Sequence, residues 1–162
     1  MREVGVRWHE GTLAISQEHL VSQMLRNFLG SMMRLFRTSS AAVKMVFATP
    51  AGELHEFGIL AGAMLASISG VEPVYLGANL PSREIANAAD RTGARVIVLG
   101  ITVPAETTSQ EVRALAAAMP ENGELWLGGA GSEDLDITNL GTKTILIKDL
   151  QALENECRRW RN

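Results

Sequence analysis

The sequence predicts an α/β fold: a five-stranded parallel sheet with helices on both faces, in flavodoxin-like (Rossmann-like) order, preceded by a helical hairpin. Three observations carry that expectation. From Val43 onward, short apolar runs alternate with longer amphipathic segments, the pattern of strand–helix units whose right-handed crossovers leave few other topologies. Apolar residues make up 46% of the chain, charged residues 20% and aromatics 5%, a balance suited to aliphatic helices layered on a sheet. Ahead of Val43 the apolar positions recur every three or four residues, which is the helical period.

Taken in order, residues 1 to about 10 look like the end of a helix with Val4, Trp8 and Val6 as apolar positions, stopped at Gly11-Thr12. Ser16 is the expected N-cap of a second helix, with Gln17 and Glu18 in its first turn, where a carboxylate suits the dipole. Val21, Met24, Leu25, Phe28, Leu29, Met32, Leu35 and Phe36 form its apolar stripe. Two helices cannot cover each other's apolar faces, so the hairpin should lie on the following domain, on a partner chain, or on both. Arg37 to Ser40 is a polar linker. The expected division is a helical cap over 1–38 and a sheet domain over 41–162, and the chain is long enough for one well-buried domain with such an appendage.

Within the second part, strands are expected at Val43–Thr49, Pro73–Leu76, Arg95–Ile101, Glu124–Leu127 and Thr144–Ile147. Helices are expected from near His55 to Ser69, at Ser82–Thr92, at Thr108–Met119, weakly near Leu135, and from Asp149 onward. Gly77-Ala78-Asn79-Leu80-Pro81 reads as a turn.

Composition narrows the function. A net charge of −3 gives no general attraction for nucleic acid, and Arg158-Arg159-Trp160-Arg161 reads as a solvated last helical turn, so no DNA binding by this segment alone is expected. Cys157 is the sole cysteine, which excludes an intrachain disulfide and a cysteine metal site and fits a cytoplasmic setting. The first residues lack a signal-peptide pattern, and no apolar run has the length of a membrane span.

The loops at the carboxyl ends of the strands are where such sheets bind ligands. His55 falls on the first of these, and Glu53 can accept a hydrogen bond from one of its ring nitrogens, leaving the other free for a metal. Gly100, Ile101 and Thr102 end the third strand, and Gly128 and Gly129 end the fourth. Small residues there remove side chains from the space between strands, so a slot can open into the sheet. A ligand that coordinates His55 and sends a tail down a glycine-lined cleft matches a cobalamin bound with its own base displaced.

Glu53-Leu54-His55-Glu56-Phe57-Gly58 resembles the Asp-x-His-x-x-Gly signature of cobalamin-binding domains, with Glu for Asp, and Gly128-Gly129 matches their later Gly-Gly. The resemblance implies that His55 is the lower axial ligand of cobalt, with Gly58 completing the motif and the nucleotide tail in a slot between strands. The family's Ser-x-Leu element would fall near Gly100-Ile101-Thr102, where neither residue is kept. Trp8, nine intervening residues and then Glu18-His19 are similar to the Trp-x9-Glu-His signature of light-sensing cobalamin regulators of the CarH and LitR type. By that resemblance Trp8, Glu18 and His19 lie over the upper face of the cofactor. His9 takes the place of the histidine that becomes the upper cobalt ligand after light breaks the cobalt–carbon bond. All three histidines, His9, His19 and His55, fall in these two motifs. The similarity runs from Arg7-Trp8-His9 through Tyr75-Leu76-Gly77 to the Gly-Gly doublet.

The chemistry of the residues agrees with these roles. Trp8 offers a flat apolar cover for an alkyl or nucleoside group, and Glu18 can accept hydrogen bonds from a ribose. The expected cofactor is adenosylcobalamin, with methylcobalamin or hydroxocobalamin as the other forms. The expected function is a cobalamin-binding sensory module without enzymatic turnover, a light sensor that regulates transcription through photolysis of the cobalt–carbon bond, acting through a homo-oligomer or a protein partner that meets the helical cap. A corrinoid shuttle subunit of a methyltransferase system is the competing reading, since such proteins share the His motif but do not need Trp8 and Glu18-His19. A receiver-type or flavin-binding domain is disfavoured because the first strand ends in Thr49-Pro50 without an acidic cluster for magnesium.

Overall fold

The computed structural model describes residues 14–36 and 43–160. The expected first helix, with Trp8 and His9, and the linker over 37–40 lie outside the described residues. The elements in chain order are α1 (Ile15–Leu35), β1 (Lys44–Pro50), α2 (Phe57–Ile68), β2 (Glu72–Leu80), α3 (Ser82–Thr92), β3 (Val96–Gly100), α4 (Thr108–Ala117), β4 (Glu124–Gly128), β5 (Lys143–Ile147) and α5 (Leu150–Arg158). The strands form one five-stranded sheet in the order β2-β1-β3-β4-β5, and every pairing is parallel. This is the expected flavodoxin-like order, whose switch point lies beside β1.

Side-chain alternation along the central strands divides the core in two. Val46 and Ala48 of β1, with Ile97, Leu99, Leu125 and Leu127, pack against Ile85 and Ala89 of α3 and Val112 and Leu115 of α4. Met45, Phe47, Val96, Val98 and Trp126 face the other way, onto Ile59, Ala63 and Ala66 of α2 and Leu153 and Cys157 of α5. Both faces of β1 are therefore covered, and its residues from Met45 to Thr49 are fully buried.

α1 packs outside α2, on the second of these faces. Its apolar stripe divides: Leu25, Leu29 and Met32 are half-buried and Met33 packs onto the core, while Val21, Met24, Phe28 and Leu35 are exposed. The helix begins earlier than expected, with Ala14 rather than Ser16 at the N-cap. The Gln17 side chain accepts from the Ala14 N–H at 3.0 Å, so one free donor is satisfied without a capping hydroxyl.

Two further expectations are corrected. β2 runs to Leu80 instead of turning at Gly77, because its pairing with β1 continues through two irregularities, Ala48 opposite Gly77 and Pro50 opposite Leu80. Gly77 (φ 92) and Asn79 (φ 61) adopt left-handed backbone at these bulges, conformations glycine and asparagine tolerate. The weak helix near Leu135 is instead a 3-10 turn at Ala130–Ser132.

Candidate functional site

The site is built on the loop from β1 to α2. Thr49 closes the end of β1: its hydroxyl donates to the Glu53 carbonyl at 2.5 Å and accepts from the Asn79 N–H at 2.9 Å. The Gly52 N–H donates to the Asn79 side chain at 2.9 Å, so the turn after β1 is knit to the end of β2.

Glu53 is 1% exposed, and every hydrogen bond to its carboxyl comes from a donor. Oε1 accepts from the His55 N–H at 2.8 Å and lies 2.6 Å from His55 Nδ1. Oε2 accepts from the Thr102 and Val103 N–H groups at 2.6 and 2.7 Å. Burial alone would push its pKa up, but the donors from Val103, His55 and Thr102 outweigh burial and hold it below the ordinary glutamate range. An ionised carboxylate only accepts, so Nδ1 must carry the proton, and in the neutral imidazole Nε2 then presents a lone pair. Nε2 has no partner among the described residues, and the imidazole is 62% exposed.

His55, on the loop after β1, stands at a cavity of about 230 Å³ at the carboxyl ends of β3, β4 and β5. Gly58, Gly100, Thr102, Gly128 and Gly129 line it together with His55, as do Ile59, Val98, Ile147 and Leu153. The glycines serve different ends. A Cβ on Gly100 would collide with the Ile59 side chain, and one on Gly129 (φ 97) would strike the Ile101 carbonyl, so packing already demands glycine there. A Cβ on Gly58 would meet nothing within 4 Å, and one on Gly128 only the ordinary surface of Ile147. At Gly58, packing does not demand that the side chain be missing. Leu54, Val103 and Leu150 are exposed apolar side chains on the surrounding loops.

Glu18 and His19 sit together in the first turns of α1. The Ser22 hydroxyl donates to Glu18 at 2.7 Å, and His19 Nδ1 lies 3.0 Å from both Glu18 and the Ile15 carbonyl. Arg26 of α1 meets Glu56 at the start of α2, and the Met33 carbonyl accepts from Ser67 near its end, so the two helices run alongside in the same sense. Glu18 is two turns before Arg26, about 12 Å further along the axis at 1.5 Å per residue. The N-terminal turns of α1 thus extend past the carboxyl edge of the sheet, on the side where His55 emerges. Neither Glu18 nor His19 lines the cavity, and Trp8 and His9 lie outside the described residues.

Sequence reasoning missed Arg26, Tyr75 and the carboxylate of Glu56 that joins them. The Arg26 Nε donates to Glu56 Oε1 at 2.6 Å, its Nη2 pairs with the same oxygen, and the Tyr75 hydroxyl donates to Oε2 at 2.5 Å. Burial, reinforced by Glu56, pushes the Tyr75 pKa up and keeps its phenol protonated as a donor. Lys148 and Asp149, which also line the cavity, were findable from their place just after a strand's carboxyl end.

No protein-family model matches the chain. It is 31% identical over 134 residues to the HTH-type transcriptional repressor CarH of Myxococcus xanthus, covering 80% of this chain and 44% of that protein. It is 28% identical over 137 residues to the repressor CarA of the same organism, covering 83% of this chain and 45% of CarA. The chain thus spans less than half the length of these relatives. Among solved structures, a cobalamin-binding protein from Desulfitobacterium hafniense superposes with a TM-score of 0.63 at 18% identity, over 98% of this chain and 77% of that one. The monomethylamine corrinoid protein of Methanosarcina barkeri does so with a TM-score of 0.66 at 13% identity, over the same shares. The chain is therefore related to the CarH and CarA repressors over about four-fifths of its length, as its motifs implied, and it has the Rossmann-like α/β fold of the cobalamin-binding and corrinoid proteins.

Proposed function

We propose that this chain is a cobalamin-binding sensory module without enzymatic turnover, a light sensor that regulates transcription. His55 would be the lower axial ligand, with Glu53 holding its tautomer, and the glycine-lined cavity would take the nucleotide tail. The observation that carries the reading is the Glu53-fixed imidazole, with Nε2 free, beside a cavity bounded by Gly58, Gly100, Gly128 and Gly129. Among the described residues no group of three or more His, Cys, Asp or Glu could hold a metal ion. Cobalt in a corrin carries most of its ligands with it, so a single imidazole such as His55 would be enough to hold it from this loop.

When bound, adenosylcobalamin supplies a cobalt–carbon bond that light can break. Trp8, Glu18 and His19 would cover its upper face, and His9 would offer an imidazole to that face after illumination. The exposed apolar face of α1 supports signalling through association, with a second copy or a protein partner meeting the helical cap over 1–38. DNA contact would come from another segment or chain. The similarity to two proteins named as repressors supports the regulatory part.

The test is the visible absorption spectrum of protein prepared in the dark with adenosylcobalamin, then illuminated with green light, for wild type, His55→Ala and His9→Ala. The expected outcome is a bound alkylcobalamin whose spectrum changes with light to a bis-imidazole form in the wild type but not in His9→Ala. Failure of the wild type to bind any cobalamin would discard the reading. A corrinoid shuttle is the second reading, favoured by the fold shared with the monomethylamine corrinoid protein. Light-independent methyl transfer to a partner enzyme would select it.

A further inference from the structure

His55 lies between two anchored carboxylates. Glu53, two residues before it, is tied to the loop after β3 through Thr102 and Val103. Glu56, the next residue, is tied to α1 through Arg26 and to β2 through Tyr75, at 2.6 and 2.5 Å. The two oxygens of Glu56 divide the work, Oε1 taking the guanidinium and Oε2 the phenol. The guanidinium also lies 5.5 Å from the centroid of the Phe57 ring, at the first turn of α2. Beside this network a cavity of about 390 Å³ lies between Asn27, Gly30, Met33 and Arg34 of α1, Leu60 of α2 and Tyr75 of β2. α1 thus reaches β2 through this polar anchor, while its apolar residues, Met33 among them, pack on the α2 side.

We infer that Arg26, Glu56 and Tyr75 are positioning residues for His55: they make the placement of the imidazole depend on the docking of α1, and the docking of α1 depend on what His55 holds. A force on the exposed face of α1 reaches the loop through Arg26 and Glu56, one peptide from the imidazole. In the other direction, a ligand that pulls His55 strains the Glu56 carboxylate away from Arg26. Coupling of this kind is reciprocal.

Hydrogen–deuterium exchange on the unliganded protein tests the relay without reference to any cofactor. Arg26→Gln and Tyr75→Phe should raise exchange in both α1 and the 53–58 segment, by at least about tenfold for the loss of a charge-assisted hydrogen bond. Arg26→Lys should restore part of the protection. Arg34→Gln, on the same helix but outside the network, should change neither segment. Loosening of α1 with the 53–58 segment unchanged in both variants would overturn the inference. Tyr75→Phe removes a single oxygen, so it still decides the matter if Arg26→Gln fails to fold.

A second arm rests on the proposed function. With hydroxocobalamin as the probe, Arg26→Gln should lower the fraction showing the His55-dependent spectrum, and the cofactor should protect α1 in the wild type. A wild type without that spectrum would remove the cobalamin reading, while the exchange arm would still judge the relay. A normal His55-dependent spectrum in Arg26→Gln and Tyr75→Phe would overturn the relay.

Discussion

Glu53 is the side chain with the most consequences for its size. Its four hydrogen bonds all require an acceptor, so Glu53→Gln places an amide donor against at least one N–H. We expect the variant to lose about 1–3 kcal/mol of stability, the range for a buried polar group left without its partner, read as the shift in urea midpoint at constant m-value. The same substitution frees the His55 tautomer, which 15N chemical shifts of the imidazole would report. Gly58 gives the converse case. With nothing near its Cβ direction, Gly58→Leu should leave the thermal midpoint unchanged or slightly raised while abolishing the proposed cobalamin binding by filling part of the cavity. A variant that binds normally would show that the open space has no role. His55 and the glycine pairs were legible from the sequence because motif spacing and strand ends locate them. The partners of Glu53 at Thr102 and Val103 were not, since residues 49 and 50 positions away meet only when β1 and β3 lie side by side.

At the scale of elements, α3 and α4 are joined by one carboxylate. The Ser82 N–H and hydroxyl donate to Glu111 at 2.7 and 2.6 Å, so a side chain of α4 caps the start of α3. Glu111→Ala should cost about 1.5–3 kcal/mol, as expected for hydrogen bonds to a charged group, and should raise amide exchange first at the N-terminus of α3. Exchange that rises uniformly instead would show that the cap acts on the whole fold. The apolar spacing of α1 announced a helix and a need for cover. It did not say which positions would be covered, because a stripe broad enough for two neighbours leaves the choice to packing: Leu25, Leu29 and Met32 turn inward, while Phe28 remains 60% exposed and Leu35 76%. β2 illustrates the opposite error. Gly77 and Asn79 carry turn chemistry, yet hydrogen bonding to β1 holds them in a bulged strand, since local preference is weaker than a continuous ladder.

Over the whole molecule, the amino edge of the sheet carries an ionic group that makes stability depend on acid. Glu124 on β4 accepts from the buried Trp126 indole at 2.9 Å, from Lys143 of β5 at 2.6 Å and from Arg159 at 3.0 Å. Burial acts to raise its pKa, but Lys143, Trp126 and Arg159 outweigh it, so the folded value lies below the unfolded one. The stabilisation is therefore full above the ordinary glutamate range and is lost as pH falls through the depressed folded value. Glu124→Gln should flatten the acid limb of stability against pH and leave the neutral plateau lower, measured by urea unfolding from pH 7 to acid; an unchanged acid slope would assign that limb to other carboxylates.

By itself the sequence determined the alternation of strands and helices, the parallel flavodoxin-like sheet, the loop that bears His55 and the glycines at strand ends, because periodicity, turn chemistry and motif spacing are local properties of the chain. Only the tertiary structure decided which partners those residues meet. The reach of Glu53 across to β3, the Arg26–Glu56–Tyr75 anchor beside His55 and the division of α1 into covered and open faces depend on strand order and helix docking, which bring together side chains that no local period relates.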